Sequence, residues 1–431
     1  MDTAHTKGRG KAVRSAAGPP ASCPPDIRLE VEERSAQTDV PWPLSRRGDV
    51  VPEACAWLRE HRPVARIRTL TGEPAWLVST HELATRVLHD EVFSMSAMAE
   101  PGARLQYAPI FPATSRSSVQ DMAGAGLREA VKQALSPRVV KQCADSFHRR
   151  AEALLQELVA EGPPADLRAR FTDPYTVSVM STVLGLSEDH GRLLMSGLDI
   201  TIMTVPRSFE GARVNWEKGM AATRAHLRAP GAVDAPGLLG ALARMRADVA
   251  EPAVADEEMA SALNGLFVAG ALSTSAFLLL ALLQLMRHPD QKQWLREHPE
   301  AMDNAVEELL RCNLAIGDGL PRIATQDTEL GGTAIAKGDL VLVLVEGANH
   351  DPAVFPDPHV LDLTRPPGPH LAFGSGRHYC SATFLARTHA TAALTAVLER
   401  LPDLRLAIPA EEINWRSGWI KRTAERLPAL W

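Results

Sequence analysis

Cys380 ends the octapeptide FGSGRHYC, whose side chains have the clearest chemical potential in the chain. Gly374 and Gly376 let the backbone turn tightly and approach a flat ligand closely. Phe373 can pack on the face of such a ligand, and His378 can donate to an anionic group at its edge. Cys380 precedes an alanine-rich segment predicted to be helical, and a helix N-terminus stabilises a thiolate. The pattern predicts a thiolate ligand for a metal in a flat macrocycle; the alternative is a glycine-rich turn with an incidental buried cysteine.

The octapeptide resembles the haem-binding signature of the cytochrome P450 family, FGxGxHxCxG, with Ala382 where the last glycine is usual. The resemblance implies that Cys380 ligates the iron of haem b and that the rest of the loop contacts the haem. A thiolate ligand pushes electron density onto haem iron and favours cleavage of the O–O bond. The implied fold is mostly α with small β-sheets, a trigonal prism-like arrangement with haem between a central helix and the cysteine loop. Electrons would come from a ferredoxin and its reductase.

Two charged residues, Glu308 and Arg311, lie three positions apart on a predicted helix and can therefore pair. An ordinary surface pair of this kind contributes well under ~1 kcal/mol. The resemblance instead implies a buried structural triad completed by Arg365.

Haem carries two propionates, and guanidinium groups suit such carboxylates. The resemblance places three cationic side chains near them: Arg128, Arg322 and His378. In many bacterial relatives a histidine lies four residues before the position of Arg128. Gly124 stands there in this chain, so one propionate donor is expected to be missing.

The segment AGALST resembles the family's A-G-x-(Asp/Glu)-Thr motif, which crosses the open side of the iron. Ala269 and Gly270 are expected against the haem, and Ser273 and Thr274 are the candidate catalytic residues. Leu272 stands where a proton-relaying acid is usual, which argues against a routine hydroxylase. The alternative for Ser273 is a hydrogen bond from its hydroxyl to the helix carbonyl four residues earlier.

From about residue 45 onward the chain is similar to one branch of the family, which works on cyclodipeptides. The best known activity of that branch joins the two aromatic rings of cyclo-dityrosine. Substrate-pocket positions carried over from the branch are Ile202, Met203, Trp216, Trp419, Ile420 and Lys421. Ile202 and Ile420 replace Phe and Gln of the cyclo-dityrosine enzyme, and Lys421 replaces its distal arginine. A lysine ammonium does not reproduce the fork of an arginine.

These replacements favour a tryptophan-containing cyclodipeptide, coupled through a C–C or C–N bond to a second diketopiperazine or a nucleobase. Three alternatives remain open from the sequence. The first is intramolecular aryl coupling of cyclo-dityrosine, and the second is hydroxylation or desaturation of a cyclodipeptide. The third belongs to another class: a non-catalytic haem carrier or docking protein.

The composition restricts the partners and the location. The 431 residues carry a net charge of −6, which disfavours binding to a nucleic-acid polymer. Five dispersed cysteines without CxxC spacing indicate reduced thiols and a cytoplasmic protein. The apolar stretch 263–286 is long enough to span a membrane, but its polar residues favour a helix buried in a large domain, with no membrane association.

The elements that must position these residues follow from periodicity and from Gly and Pro breaks. Residues 1–30 are expected to be a disordered tail and 31–431 a single haem-thiolate monooxygenase-type domain. Further predictions are a β-hairpin over 64–78, an irregular loop over 99–118, mostly helix over 121–310, a central helix over 258–287, a helix over 300–313, a strand over 338–345, a Pro-rich meander over 352–369, a helix over 381–400, and strands over 404–408 and 413–420.

Overall fold

The computed structural model describes residues 40, 44, 49–69, 72–106, 126–201, 209–247, 255–313, 315, 319–416 and 421–431, with backbone alone at 197–201 and 209–213. Residues Gln37–Trp431 form one compact unit. The predicted tail over 1–30 and the predicted loop beyond residue 106 lie outside the described residues, so the domain boundary at residue 31 stays a prediction.

The described residues are mostly helical. The α-helices are α1 (Ala54–His61), α2 (His81–His89), α3 (Leu127–Ala134), α4 (Pro137–Glu161), α5 (Asp173–Leu184), α6 (Glu188–Thr201), α7 (Phe209–Arg228), α8 (Gly237–Ala247), α9 (Asp256–Arg287), α10 (Pro289–Glu297), α11 (Met302–Arg311), α12 (Val345–Asn349) and α13 (Thr383–Arg400). Short 3₁₀ turns lie at Ser96–Ala99, Ala232–Asp234, Pro299–Ala301, Gly376–His378 and Ala410–Glu412, and a π-helical turn at Arg168–Thr172.

Three small sheets complete the described part of the fold. The strands are β1 (Val64–Arg68), β2 (Pro74–Val78), β3 (Phe93–Ser94), β4 (Ala165–Asp166), β5 (Leu320–Ala324), β6 (Thr328–Leu330), β7 (Thr333–Ile335), β8 (Leu340–Val343), β9 (Arg405–Leu406) and β10 (Pro428–Leu430). The largest sheet has the order β1-β2-β8-β5-β3, in which only β2 and β8 run parallel. The others are β4-β10-β9 and β6-β7, both antiparallel.

The unbroken apolar sequence of strand β8, LVLV, follows from the burial of both faces of the strand. All four of its residues are buried. Leu340 and Leu342 pack into the core on one face of the sheet, and Val341 and Val343 pack into the core on the other. A strand covered on both faces needs no polar alternation. The strand therefore sits centrally in the sheet, and the C-terminal end of its parallel neighbour β2 lies at the same sheet edge as its own C-terminal end.

The central helix α9 is apolar on nearly every side because it crosses the main core. Twenty of its residues are buried, among them Phe267, Phe277 and Leu278. It is the one helix in the described part of the chain that is long and apolar enough to cross a membrane, and 72% of its most apolar window is buried within the fold. The predicted buried helix over 258–287 is thus confirmed, with its first residue at Asp256.

Most predicted elements are present, and two strands differ from the prediction. The strand predicted over 338–345 ends at Val343, and Val345 begins helix α12 instead. The segment predicted as a strand over 413–420 makes only an isolated antiparallel bridge from Trp415 to Ala424, and residues 417–420 lie outside the described residues. At β8 the apolar run continues past Val343, where both neighbouring strands end: Val343 is paired with Val78, the last residue of β2, and with Leu320, the first residue of β5.

Three buried histidines predict a pH dependence of stability. Burial lowers the pKa of His190 to about 4, with His226 adding to the effect, and lowers the pKa of His350 and His389 to about 3. The unfolded residues titrate near pH 6.5. Between pH 6.5 and 4 the unfolded chain therefore binds protons that the folded chain does not, so the free energy of unfolding falls as the pH falls.

Each of these histidines should lower the free energy of unfolding by up to about 2 kcal/mol between pH 7 and pH 5. Urea unfolding at the two pH values measures the total difference. His389→Leu should reduce that difference by about a third, whatever its stability at pH 7. An unchanged pH difference in this variant would contradict the assignment of a neutral buried imidazole at residue 389.

Candidate functional site

The Cys380 loop is held tightly at its turn. The Cys380 N–H donates to the Phe373 carbonyl at 3.1 Å, which closes the loop. Gly376 has a φ of +69°, and a Cβ there would lie 2.3 Å from the Leu88 carbonyl oxygen. Only glycine therefore lets the loop lie against the end of α2. His89 from α2 adds a contact of 2.6 Å between its Nε2 and the Ser375 hydroxyl.

The Cys380 thiol lies just before α13, on a residue that is partly exposed. Burial raises its pKa, while the backbone N–H of Ala382 and the positive charges of Lys421 and Arg387 lower it. These three groups are the ones that would stabilise a thiolate bound to a metal. Ala382 is the residue that caps α13, so the donor comes from the helix N-terminus as the sequence predicted.

An ion pair between Glu307 and Arg387 lies beside the Cys380 loop, and the sequence analysis did not predict it. Glu307 accepts from the Arg387 guanidinium, with Nη2–Oε2 at 2.9 Å, and lies 3.1 Å from the His370 Nε2. The Arg387 guanidinium carbon lies 4.7 Å from the centre of the Phe373 ring. Burial would raise the pKa of Glu307, but hydrogen bonds from Arg387 and His370 outweigh it and lower that pKa to about 2. Glu307 and Arg387 are eighty positions apart in the chain, so no local pattern in the sequence predicts this pair.

The structure brings Glu308, Arg311 and Arg365 together. Glu308 accepts from Arg311 in a bidentate pair, at 2.7 and 2.8 Å, and from the Arg365 Nε at 3.2 Å. The Glu308 side chain is 1% exposed and that of Arg311 is 2% exposed. Both arginines also donate to carbonyls of the meander, including Pro358 and Pro356. The cluster therefore holds the meander to α11.

One face of the central helix is not covered by protein. Ala269 is exposed and Leu266, Gly270 and Ser273 are partly exposed, as are their neighbours Gly265 and Val268. Spacings of three, four and seven residues from Leu266 place Ala269, Gly270 and Ser273 on one face with it. Gly270 has a further reason to be glycine, since a Cβ there would lie 2.6 Å from the Met180 thioether. The strip offers a small, apolar surface with a single hydroxyl.

The two candidate catalytic residues differ in environment. The Ser273 hydroxyl makes no hydrogen bond to any described residue, whereas Thr176 and Thr388 each bond to the carbonyl four residues earlier, at 2.9 and 2.8 Å. The bond from Ser273 to its own helix is therefore not formed. Thr274 is 7% exposed and lies off the uncovered strip, and Leu272 is 5% exposed.

The predicted propionate donors are only partly assembled. Arg322 is 4% exposed on β5, and Leu320 on the same face of that strand lies 3.6 Å from where a Gly374 Cβ would be. Arg322 thus lies beside the cysteine loop. Arg128 is exposed in the first turn of α3, and His378 is partly exposed in the 3₁₀ turn. Gly124 lies outside the described residues.

The predicted substrate-pocket residues are described in part. Trp216 is 8% exposed on α7, and Lys421 is partly exposed and near enough to Cys380 to affect the pKa of its thiol. The remaining positions lie outside the described residues: Ile202, Met203, Trp419 and Ile420. Arg422, next to Lys421, is bound instead to the buried Glu346, with Nη2–Oε1 at 2.8 Å.

A cysteine on a glycine loop just before a helix, together with a central helix that has an uncovered apolar strip, is typical of haem-thiolate enzymes. The chain belongs to the cytochrome P450 family, whose model matches residues 237–402. A mycocyclosin synthase of Mycobacterium tuberculosis is 41% identical over 391 residues, covering 90% of this chain and 98% of that protein. A nocardicin C N-oxygenase of Nocardia uniformis is 35% identical over 379 residues, covering 87% and 94%. The solved structure of a cytochrome P450mel with biaryl coupling reactivity matches with a TM-score of 0.80 at 29% identity, covering 90% and 98%.

The family assignment confirms the predicted fold and chemistry class. The chain is an oxidoreductase of the cytochrome P450 type, and the family uses haem b. Members act on small molecules with the help of redox partners. The residues present fit this cofactor: a sulfur ligand at Cys380, a glycine turn for close approach, a guanidinium at Arg322 for a carboxylate, and the uncovered strip of α9.

Ligation by Cys380 predicts a spectroscopic signature. Reduced protein with carbon monoxide should show the red-shifted Soret band of a thiolate trans to the bound gas, because the electron-rich sulfur perturbs the haem transition. Cys380→His should abolish the band, and the control Cys143→Ser should keep it. Retention of the band in Cys380→His would show that another residue is the ligand.

Because Glu308 is buried and paired, we expect its substitution to impair folding rather than the reaction. Glu308→Gln leaves Arg311 and Arg365 without their carboxylate, which should cost about 3–5 kcal/mol. Folded yield and haem content should fall together, as measured by purification and by the ratio of haem to protein. Glu300→Gln, at an exposed position, serves as the control. Normal haem occupancy with slower turnover would instead assign Glu308 a role in the reaction.

Proposed function

We propose that this enzyme oxidatively couples the aromatic side chains of a cyclodipeptide, and that cyclo-dityrosine or a close analogue is its substrate. One observation carries the proposal: the likeness to a mycocyclosin synthase, a cyclo-dityrosine coupling enzyme, extends over 98% of that relative at 41% identity. The similarity to a P450 with biaryl coupling reactivity supports the same reaction class. The sequence hypothesis of a tryptophan substrate receives less support from these relatives.

The described residues suit coupling better than hydroxylation. Bound haem with a thiolate ligand would supply the activation of dioxygen. Leu272 offers no carboxyl group to relay protons from the protein. The Ser273 hydroxyl, which has no partner among the described residues, can hold a polar group of the substrate, and the strip beside it can hold an aromatic ring. The substrate phenols would then serve as the proton donors.

The reaction balances as an oxidation without oxygen insertion. A C–C bond forms between two rings, and the substrate loses two hydrogen atoms. One dioxygen takes up these two hydrogens together with two electrons and two protons, and becomes two molecules of water. The electrons come from a redox partner, for which we propose a ferredoxin with its reductase docking near Cys380. We place the reaction in the cytoplasm. This is the reducing compartment in which free cysteines such as those of this chain stay reduced, and the relatives are bacterial proteins.

A tryptophan-containing cyclodipeptide is the second candidate, favoured by specific residues of this chain. Ile202 and Ile420 make the predicted pocket wall more apolar than a bis-phenol requires, and Lys421 replaces an arginine. Trp216 and Trp419 can stack on an indole. In this case an oxidised indole would couple through a C–C or C–N bond to a second diketopiperazine or a nucleobase, again with loss of two hydrogens.

A panel of cyclodipeptides separates these candidates. We expect cyclo-Tyr-Tyr to give the largest low-spin to high-spin shift and, with electrons and dioxygen, a product two mass units lighter. A larger shift and a joined adduct with cyclo-Trp-Pro or cyclo-Trp-Trp would select the second candidate.

Other products would count against coupling. A product with one added oxygen would indicate a hydroxylase, and a loss of two hydrogens without a new ring bond would indicate a desaturase. Absence of both a spin shift and substrate-stimulated NADPH consumption across the panel would overturn the cyclodipeptide assignment. The hypothesis of a non-catalytic haem carrier has no support from the relatives, which are enzymes.

A further inference from the structure

A chain of polar side chains crosses the otherwise apolar contact between helices α6, α7 and α9. Asn264 on α9 and Thr223 on α7 are 0% exposed, and His190 on α6 is 4% exposed. Thr223 donates to the Asn264 Oδ1 at 2.6 Å, and its oxygen lies 3.1 Å from the His190 Nε2. His190 Nδ1 in turn lies 3.0 Å from the Nδ1 of His226. Buried polar groups of this kind are costly unless every one is paired.

The hydrogen positions in this chain follow from its geometry. A threonine hydroxyl has one proton, which goes to Asn264, so His190 must donate through Nε2 and accept through Nδ1. The His226 Nδ1 also lies 2.9 Å from the Ala222 carbonyl oxygen, so that nitrogen carries a proton and can be shared with His190. If the Asn264 amide were rotated so that its NH₂ group faced Thr223, the Thr223 proton would have to go to His190 Nε2. His190 would then carry its own proton on Nδ1, facing the Nδ1–H of His226, and that contact would be repulsive. The chain is therefore complete with His190 neutral, consistent with burial and His226 lowering its pKa to about 4.

Helix α7 also lies close to its neighbours at Gly219, one turn before Thr223. A Cβ at Gly219 would lie 2.8 Å from the Leu194 side chain on α6 and 3.6 Å from the Asn264 amide nitrogen on α9. Apolar contacts alone, such as that of Met220, would tolerate small shifts of one helix along another. Hydrogen bonds between Thr223 and Asn264 do not, because their geometry is directional. The polar chain thus sets the position of α7 along α9.

The same two helices carry residues of the candidate site. Trp216 and Thr223 are seven residues apart on one buried face of α7, roughly 10 Å along the helix. Asn264 precedes Ser273 by nine residues, roughly 13 Å along α9. The polar chain therefore lies outside the site but is joined to it through two rigid helices. Helices α6 and α7 also flank the segment that contains Ile202 and Met203.

We propose that Asn264, Thr223 and His190 form a buried clasp whose hydrogen bonds hold α6 and α7 on the central helix and so position Trp216 for substrate. These are positioning residues, since none lies on the uncovered strip of α9. The inference rests on the proposed function for the identity of the substrate, but the clasp itself can be tested without it.

Thr223→Val tests the clasp because it removes the hydroxyl and keeps the size of the side chain. The haem content and the carbon monoxide spectrum should match those of the unmodified protein. The spectral dissociation constant for cyclo-Tyr-Tyr should rise by up to about tenfold, because the affinity lost when α7 shifts is limited by the free energy of the buried hydrogen bond that held it, and kcat at saturation should stay within about twofold. Amide hydrogen exchange in α6 and α7 should become faster. Thr223→Ser should restore both affinity and protection.

Thr182→Val is the control for loss of a threonine hydroxyl as such, because Thr182 is exposed and, among the described residues, its hydroxyl donates to the Ser178 carbonyl of its own helix at 2.9 Å. Phenylimidazole binds haem iron and occupies the pocket whatever the natural substrate is. It therefore distinguishes a failure of the proposed function from a failure of the clasp. If no cyclodipeptide binds the unmodified protein, the proposed function fails, and phenylimidazole affinity with hydrogen exchange still decides the clasp. The clasp is wrong if Thr223→Val behaves like Thr182→Val, if the serine variant does not restore affinity, or if exchange increases while ligand affinity does not change.

Discussion

The buried carboxylate of Glu308 is the constraint on which the cysteine loop depends. A charge with 1% of its side chain exposed must find all its partners inside the fold, and it finds Arg311 and Arg365. Arg311 also donates to the Asn349 carbonyl at 3.0 Å, and the Asn349 amide oxygen accepts from the Leu371 N–H at 2.7 Å. Leu371 begins the segment that turns toward Cys380. The position of the sulfur thus depends, through three hydrogen-bonded steps, on one ion cluster.

The neighbouring carboxylate, Glu307, supports the other side of the same loop. It holds Arg387 against the Phe373 ring and accepts from His370. Two consecutive glutamates of α11 therefore serve different segments: one fixes the meander and the other fixes the loop. Because consecutive helical residues point about 100° apart, a single helix can brace both at once. The loop before Cys380 is in this way held by ion pairs and hydrogen bonds of the protein itself.

The central helix, in contrast to the cysteine loop, is held mainly by apolar packing. The middle of helix α9 is mostly apolar, and two of its buried polar groups are paired with neighbouring segments: Asn264 with Thr223 at 2.6 Å, and Ser275 with Thr172 at 3.1 Å. Ser273 is the polar group on the uncovered strip. A pocket with so few polar groups binds a substrate mainly by shape and apolar contact, so the positions of α6 and α7 bear directly on selectivity. This makes the helix contacts outside the site as relevant to substrate choice as the residues within it.

Local motifs in the sequence determined the chemistry and much of the helical framework. The loop before Cys380, the spacing of Glu308 and Arg311, and the apolar run of α9 each act over a few residues, so periodicity and residue type suffice to predict them. Contacts between distant segments could not be predicted in this way. Glu307 meets Arg387 across eighty residues, and local sequence carries no signal for such a meeting.

Only the tertiary structure decided where strands stop and which polar groups meet. Strand formation needs a partner edge, so β8 ends at Val343 although the apolar pattern continues, and Val345 starts a helix. In the same way, His190, Thr223 and Asn264 are unremarkable polar residues on three separate helices until packing removes water from all of them together. The sequence specifies each side chain and its local conformation; the free energy of burying and pairing it depends on neighbours brought in by the whole fold.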